Sequence, residues 1–272
     1  MSALPESPST RSPPPQLVQR PAICDWPTAA VIAVMTLGFP AAGLLYQRGL
    51  LPAWAVIVIG TWLMNLSFTA WHEPAHGNFS RHRRANDAAG VISSFASMYP
   101  GYFARRREHL VHHRYEGDPL RDPVHPRIQT TFLGFPFRLL MATVRPPRQE
   151  VPASFVEYTA RHRWLDRSSN AGALALVGLS IPAGFWQAAL LVWVVPRLIV
   201  FGLHAYYICF FPHAVPGGGY QLLRVRRWGP LFDLLTMNQM LHGVHHLWPS
   251  IPWHAYGEAL SEAGPIEGAP SK

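Results

Sequence analysis

Long apolar runs that are nearly free of charge divide this chain of 272 residues. The first two runs predict helices over about Thr28–Tyr46 and Pro52–Trp71, because about 20 apolar residues are needed to cross the hydrocarbon core of a membrane. A third run, Ala171–Pro212, is long enough for two more spans with a turn near Trp186 and Gln187. The pattern therefore predicts an all-α integral membrane protein with about four transmembrane helices.

Two shorter apolar segments lie between these pairs of predicted spans. Ala88–Tyr102 and Thr130–Val144 are short for a full crossing and are flanked by arginine, which favours helices that lie in the membrane interface. Residues 1–25 are polar and rich in proline, and residues 258–272 are rich in glycine, proline and alanine. These compositions predict a disordered tail over residues 1–25 and a flexible tail over residues 258–272, so residues 26–257 are predicted to form the folded unit.

Positive charge is concentrated in one part of the chain. The formal net charge is +8, and fifteen of the twenty-two arginines fall between the second and third apolar runs, from Arg81 to Arg167. Because positively charged loops stay on the cytoplasmic side of a membrane, this region and both termini are predicted to be cytoplasmic. The placement indicates a role in topology and headgroup contact, and it argues against nucleic acid as a partner.

Eight of the fourteen histidines fall into three clusters. The first has the spacing HxxxH and the other two HxxHH: His72 and His76, then His109, His112 and His113, then His242, His245 and His246. On a helix, positions i, i+3 and i+4 lie near one face, so each cluster can direct its rings to one place. The predicted topology brings all three to the cytoplasmic side. Neutral imidazole binds iron, zinc and copper, and eight converging rings are enough for two metal ions.

Other polar residues near these clusters are candidates for the same site. His213, at the end of the predicted fourth span, and His204, inside that span, are candidate extra ligands. Ligating imidazoles pass their second N–H to a carboxylate, carbonyl or water, so nearby polar side chains could orient them. These side chains are Glu73, Asp118, Asp122, Asp233 and Asn238. Asp118 and Asp122 also fit ordinary turns, because each precedes a proline.

Two other classes of membrane protein fit the histidine clusters less well. A metal permease is expected to carry its ligands along the spans, whereas these clusters are predicted to lie outside them. A zinc hydrolase ordinarily uses three protein ligands and one water, which eight histidines exceed. The two cysteines, Cys24 and Cys209, are too few for a four-thiolate iron–sulfur cluster, so no internal electron-transfer module is predicted.

One HxxxH and two HxxHH clusters split by a predicted hairpin resemble the membrane-bound fatty-acid desaturase and carotenoid hydroxylase/ketolase superfamily. The resemblance runs from about Trp71 to Trp253. The sequence His-Leu-Trp-Pro-Ser-Ile-Pro-Trp after the third cluster, with Gly-Asp-Pro after the second, is most similar to bacterial β-carotene hydroxylases. The sequence Phe-Phe-Pro-His that ends at His213 is instead similar to carotenoid ketolases.

The resemblance implies a catalytic domain over residues 26–257, with a cytoplasmic histidine-rich cap that holds two iron ions and uses O2. It implies a substrate dissolved in the membrane, and hydroxylation of the ring of β-carotene or a related carotenoid is the expected reaction. Acyl-lipid desaturation and carotenoid ketolation are the alternatives, since the sequence does not decide which product follows hydrogen abstraction. The implied partners are membrane lipid and a ferredoxin-type electron donor.

Overall fold

Helices and connecting turns make up the computed structural model, which describes residues 12–18, 21–99, 101–128, 130–144, 155–213 and 229–263. The helices in chain order are α1 (Trp26–Gln47), α2 (Ala53–His76), α3 (Arg83–Ala96), α4 (Tyr102–Tyr115), α5 (His125–Ile128), α6 (Phe135–Val144), α7 (Ala160–Ser180), α8 (Trp186–His213), α9 (Pro230–Leu235), α10 (His242–Leu247) and α11 (Tyr256–Ala263). Short 3₁₀ turns cover Pro15–Leu17, Gln239–Leu241 and Trp253–Ala255. No strand occurs within the described ranges, which confirms the all-α prediction.

Three of the described helices, α1, α2 and α8, are long and apolar enough to cross a membrane, by length and composition. α1 begins where the Asp25 carboxylate accepts a hydrogen bond from the backbone N–H of Thr28 at 3.0 Å, a typical N-cap. α2 ends at His76, and the next residue, Gly77, has a φ of 79°, which suits glycine at a helix C-terminus. Helices α1 and α2 confirm the helices predicted from the first two apolar runs.

Close packing joins the three long helices. Met35 and Phe39 of α1 share one buried cluster with Leu63 of α2 and Val192 of α8. Gly60 allows this packing, because a Cβ atom there would lie 2.6 Å from the backbone carbonyl oxygen of Val192. The backbone of α8 therefore approaches α2 more closely than a larger residue would permit.

The third predicted span differs from the structure. α7 begins at Ala160, and its first two turns carry four charged residues: Arg161, Arg163, Asp166 and Arg167. Only the second half of α7 is apolar, so this helix is not one of the three long apolar helices. The turn after it occupies residues 181–185, a few residues before the predicted place. The count of four spans and the side of the membrane stay predictions.

The shorter segments also differ from their predicted bounds. The segment predicted over Ala88–Tyr102 belongs mostly to α3, which begins at Arg83 and ends at Ala96. The segment predicted over Thr130–Val144 is helical from Phe135, as α6. Both are short helices, as expected, and their position in a membrane interface stays a prediction.

Packed structure continues past both predicted tail boundaries. Leu17 is buried in one cluster with Val244 and Tyr256, although residues 1–25 were expected to be disordered. Gln16 donates a hydrogen bond to the Glu262 carboxylate at 2.9 Å, and α11 continues beyond residue 258 to residue 263. A few apolar contacts within polar sequence account for this difference, because overall composition does not reveal single anchors. The remaining predicted tails, residues 1–11 and 264–272, lie outside the described residues.

Candidate metal centre

Five histidines from three helices bring their Nε2 atoms together. This five-histidine group consists of His72, His76, His109, His113 and His245, and its ligand atoms all lie within 4.8 Å of one another. The Nε2 atoms are 2.7 Å apart between His76 and His109, and 2.9 Å apart between His113 and His245. The two pairs with i, i+4 spacing sit on one face of α2 and one face of α4, as the sequence predicted.

A second group lies beside the first and includes a carboxylate. This mixed group consists of His112, Glu116, His213 and His246. The two carboxylate oxygens of Glu116 lie 3.3 Å from Nδ1 of His213 and 3.0 Å from Nδ1 of His246. The rings of His112 and His213 are 5.0 Å apart between centroids, which places the ends of α4 and α8 together. The structure therefore contains two adjacent groups of potential ligands.

His242 lies between the two groups. Its ring centroid is 5.2 Å from that of His245 in the five-histidine group and 4.6 Å from that of His246 in the mixed group. Among the described residues, its buried Nδ1 atom has no hydrogen-bond partner. A buried imidazole nitrogen without a partner is costly, and a bound ion would satisfy it. All eight histidines of the three sequence clusters thus lie at one site.

Asp122 orients His112. Its carboxylate lies 2.8 Å from Nδ1 of His112 and accepts hydrogen bonds from the backbone N–H groups of Gly117 and Val124. Burial lowers the pKa of His112, but the Asp122 carboxylate, with smaller effects from Glu116 and a further carboxylate, raises it above its ordinary value. Burial likewise raises the pKa of Asp122, yet His112 lowers it overall. The pair fixes Nδ1 as a protonated nitrogen and leaves Nε2 as the nitrogen that could bind a metal.

Glu73 has the same relation to the first cluster. One of its carboxylate oxygens lies 3.1 Å from Nδ1 of His72, and the other accepts hydrogen bonds from Asn78 and from the backbone N–H of Trp253. The hydroxyl of Tyr256 is 3.0 Å from Nδ1 of His245 and 3.5 Å from the Glu73 carboxylate. These contacts hold the imidazoles of His72 and His245 in place from the side opposite their Nε2 atoms.

The position of α4, which carries three of the histidines, depends on α7. The carboxylate of Asp166 accepts hydrogen bonds from the backbone N–H groups of Phe103 and Ala104, at 3.0 and 2.9 Å. A carboxylate at the N-terminus of a helix is stabilising, because the first N–H groups have no partner within the helix. A Cβ atom on Gly101 would lie 2.2 Å from Asp166, so glycine allows this approach.

The arrangement of nitrogens fits a metal ion. Burial, with repulsion from neighbouring imidazoles, lowers the pKa of His109, His113 and His245 well below the ordinary value, so these rings are neutral. Neutral imidazoles whose Nε2 lone pairs face one another repel unless a cation lies between them. Bonds of about 2.1 Å from nitrogen to a shared ion place ligands at right angles about 3.0 Å apart. The observed Nε2 separations agree with this spacing.

The two candidate extra histidines have different positions. His213 belongs to the mixed group, whereas His204 belongs to neither group. Nδ1 of His204 lies 2.7 Å from the hydroxyl of Tyr99, and its Nε2 lies 3.2 Å from the side-chain oxygen of Asn65. Both ring nitrogens of His204 are therefore engaged by other side chains, whereas His213 lies among the potential ligands of the mixed group.

Three of the polar candidates do not orient a clustered histidine in the way that Glu73 and Asp122 do. Asp118 accepts hydrogen bonds from the backbone of Leu120 and Arg121, as a turn residue does. Asn238 donates a hydrogen bond to the carbonyl of Trp253. Asp233 is buried in α9 and belongs to neither ligand group.

Sequence reasoning missed Glu116 and Tyr256. A signal for Glu116 was present, because it follows His112 by four residues and so extends the same helical face. No comparable signal marked Tyr256, which follows His245 by eleven residues and reaches it from a separate helix.

A cavity of about 240 Å³ borders the site. Four clustered or nearby histidines, His109, His112, His213 and His242, form part of its wall. Apolar side chains form much of the rest: Phe68, Val124, Leu139, Phe201, Ala205 and Ile208. An apolar molecule in this cavity would lie against both groups of potential ligands.

These features define a class of protein: a helical protein with apolar helices of membrane-spanning length and a buried, histidine-rich site suited to metal. A family model described as "Fatty acid desaturase" matches residues 48–268, which is most of the chain. The chain belongs to the fatty acid desaturase family. The family and the three apolar helices indicate that it is a membrane protein.

Similar proteins include two ketolases and a desaturase. Zeaxanthin 4-ketolase of Chlamydomonas reinhardtii is 26% identical over 68% of this chain and 39% of its own length. Beta-carotene 4-ketolase of Protosiphon botryoides is 25% identical over 68% of this chain and 46% of its own length. Dihydrorhizobitoxine desaturase of Bradyrhizobium elkanii is 26% identical over 82% of this chain and 69% of its own length. The chain thus spans less than half of each ketolase.

Proposed function

We propose that this chain uses two iron ions and O2 to oxidise an unactivated C–H bond of a substrate held in the adjoining cavity. The observation that carries the proposal is the convergence of five Nε2 atoms next to a second group of ligands, both at a cavity with apolar walls. Iron, when bound, would supply the activation of O2, and imidazole ligands suit it. One of the ions would be held by the five-histidine group.

The other ion would be held by the mixed group, with His242 available to either. Glu73 and Asp122 would keep His72 and His112 with Nδ1 protonated and Nε2 directed to metal. The neutral state of His109, His113 and His245 serves the same end, because only an unprotonated nitrogen binds metal. The residues of this chain thus bind and orient the metals rather than exchange protons with the substrate.

The cavity would position the substrate and exclude water. Phe68 stacks on the ring of His72 at 4.8 Å between centroids and also lines the cavity, so an apolar surface reaches the metal ligands. A misplacement of about 1 Å changes rates by about two orders of magnitude. The shape of this wall would therefore decide which carbon is oxidised and which product forms.

Two substrate classes are supported by different observations. Hydroxylation of the ring of β-carotene, or of a related carotenoid, draws support from the resemblance and from the two carotenoid ketolases among the relatives. Desaturation of an acyl chain draws support from the family. Dihydrorhizobitoxine desaturase, among the relatives, supports desaturation as the type of reaction but not the acyl substrate. In both cases we propose a ferredoxin-type electron donor and a site on the cytoplasmic side of the membrane.

The test is expression in a β-carotene-producing host together with a ferredoxin and its reductase, followed by mass analysis of pigments and acyl chains. Pigment that gains oxygen identifies a carotenoid oxygenase, and newly unsaturated acyl chains identify a desaturase. His245→Ala should abolish either product, whereas His254→Ala should not, because His254 pairs with Asp25 outside both ligand groups. A purified protein with a single zinc ion and no oxidised product would overturn the proposal.

A further inference from the structure

Two arginines in the cavity wall carry a further inference, which rests on the proposed function. Arg105 of α4 and Arg197 of α8 both line the cavity. The central guanidinium carbon of Arg105 lies 3.9 Å from the ring centroid of Tyr99, and that of Arg197 lies 3.6 Å from the same centroid. That of Arg105 also lies 3.8 Å from the ring centroid of Trp71. Contacts between cations and aromatic rings hold both guanidinium groups in place.

Neither guanidinium is neutralised by a carboxylate in the part of the chain that the structure describes. The Nη1 atom of each is buried and has no hydrogen-bond partner among the described residues. The acidic residue among those lining the cavity is Glu108, and its carboxylate pairs with Arg127 at 2.6 Å. Burial lowers the pKa of Arg105 to about 9, Arg197 adds to this effect, and Tyr99 and Glu108 offset it only in part, so Arg105 is still charged at neutral pH.

Two half-buried cations whose Nη1 atoms are buried without a partner among the described residues are costly for the protein. Moving a charge away from water has a large free-energy cost unless an opposite charge and hydrogen bonds compensate it, and two like charges repel. Ionisable groups inside an apolar helix such as α8 commonly mark a binding site. An anion in the cavity would satisfy both guanidinium groups of Arg105 and Arg197 and reduce their repulsion.

We propose that Arg105 and Arg197 bind an anionic carboxylate of the substrate, whose apolar part extends along the cavity to the histidines. Guanidinium is the side chain best suited to a carboxylate, because its N–H groups match the two oxygens. The cavity has a volume of about 240 Å³. This volume is smaller than that of typical pockets for drug-sized ligands, which is about 300–1,000 Å³. It fits a small acid or one end of a longer acidic chain. A hydrocarbon carotenoid has no group for this arginine pair.

The test compares two ligands of equal chain length, octanoate and octanol. The full chain, loaded with iron, is placed in nanodiscs of zwitterionic phosphatidylcholine, and binding is measured by isothermal titration calorimetry. We expect octanoate to bind at least about 10-fold more tightly than octanol, which is typical of a hydrogen bond to a charged group. Equal affinities for the two ligands would overturn the proposal, and this comparison needs no altered protein.

Variants then assign the preference to the arginines, because a carboxylate can also bind iron directly. Arg105→Gln and Arg197→Gln should each reduce the preference for octanoate by about 10-fold. Arg107→Gln is the matched control: it removes the same charge two residues along α4, from a residue that does not line the cavity. A preference that survives both cavity variants would contradict the assignment.

Anionic lipid is the other source of a suitable anion. If phosphatidylglycerol added to the nanodiscs abolishes the octanoate preference of the unaltered protein, the arginines bind a headgroup, and the substrate carboxylate is ruled out. Unchanged preference supports the proposal. Metal analysis of the same samples separates the proposed carboxylate site from the proposed oxidase. If the protein holds two irons but does not prefer octanoate, only the carboxylate site is contradicted. If the protein prefers octanoate but holds no iron, only the proposed oxidase is contradicted.

Discussion

The Nε2 atoms of His72 and His245 lie 3.0 Å apart, although 173 residues separate the two histidines in the sequence. His72 is near the end of α2, and His245 is on the short helix α10. Both imidazoles are buried, and their Nδ1 atoms are engaged by Glu73 and Tyr256. A metal ion between the Nε2 atoms would join two distant parts of the chain.

Removal of the metal should therefore destabilise the fold. A ligand that binds only the folded state stabilises it by about 2.7 kcal/mol at 100 times its Kd, so chelation should lower the thermal unfolding midpoint. Added iron should restore the midpoint. The measurement is thermal unfolding in detergent with and without chelator, and His72→Ala should respond less to the chelator. An identical midpoint in both conditions would argue against a resident metal.

Asp122→Asn should weaken metal binding while Asp118→Asn leaves it unchanged. Asp122 contacts Nδ1 of His112, and loss of such a partner typically costs about 10–100-fold in metal affinity. Asp118 lies in the same turn, but its carboxylate accepts hydrogen bonds from the backbone of Leu120 and Arg121 and pairs with the Arg121 side chain, not with a clustered histidine. Competition with a metal-binding dye would measure both affinities. Equal affinities in the two variants would show that Asp122 is also only a turn residue.

Glu116→Gln should remove one metal ion and leave the other. The carboxylate belongs to the mixed group and not to the five-histidine group, so we expect elemental analysis to find about one iron per chain instead of two. Glu157→Gln is the control, because Glu157 is exposed and pairs with Arg83. Two irons in the Glu116 variant would mean that the histidines of the mixed group can hold an ion without the Glu116 carboxylate.

Gly60→Ala should destabilise the protein, whereas Gly178→Ala should not. The added methyl group at Gly60 would meet the carbonyl of Val192 at 2.6 Å, and such overpacking typically costs about 1–3 kcal/mol. Gly178 is in α7 with open space around the position of a Cβ atom, so alanine there favours the helix. Thermal unfolding of both variants, compared with the unaltered protein, checks this. A Gly60 variant as stable as the Gly178 variant would mean that α8 can move away from α2.

Several parts of the fold could be predicted because they depend on local sequence. The apolar runs predicted α1 and α2, and the HxxxH and HxxHH spacing predicted histidines on shared helical faces. The predicted third span and the predicted tail boundaries differed from the structure. In α7, apolar and charged residues share one helix, and at the ends of the chain packed residues lie within polar sequence. Leu17 could not be recognised as an anchor, because its partners on α10 and α11 are more than 200 residues away.

The sequence by itself determined the helical class, the histidine spacing and the kinds of ligand that the chain can offer. Only the tertiary structure decided how those ligands are grouped. His245 joins one group and its neighbour His246 joins the other, because adjacent helical residues point about 100° apart. The partners of each then depend on how helices pack, for example on the Asp166 contacts that position α4. Residue spacing is a local property, whereas the meeting of four helix ends results from long-range packing.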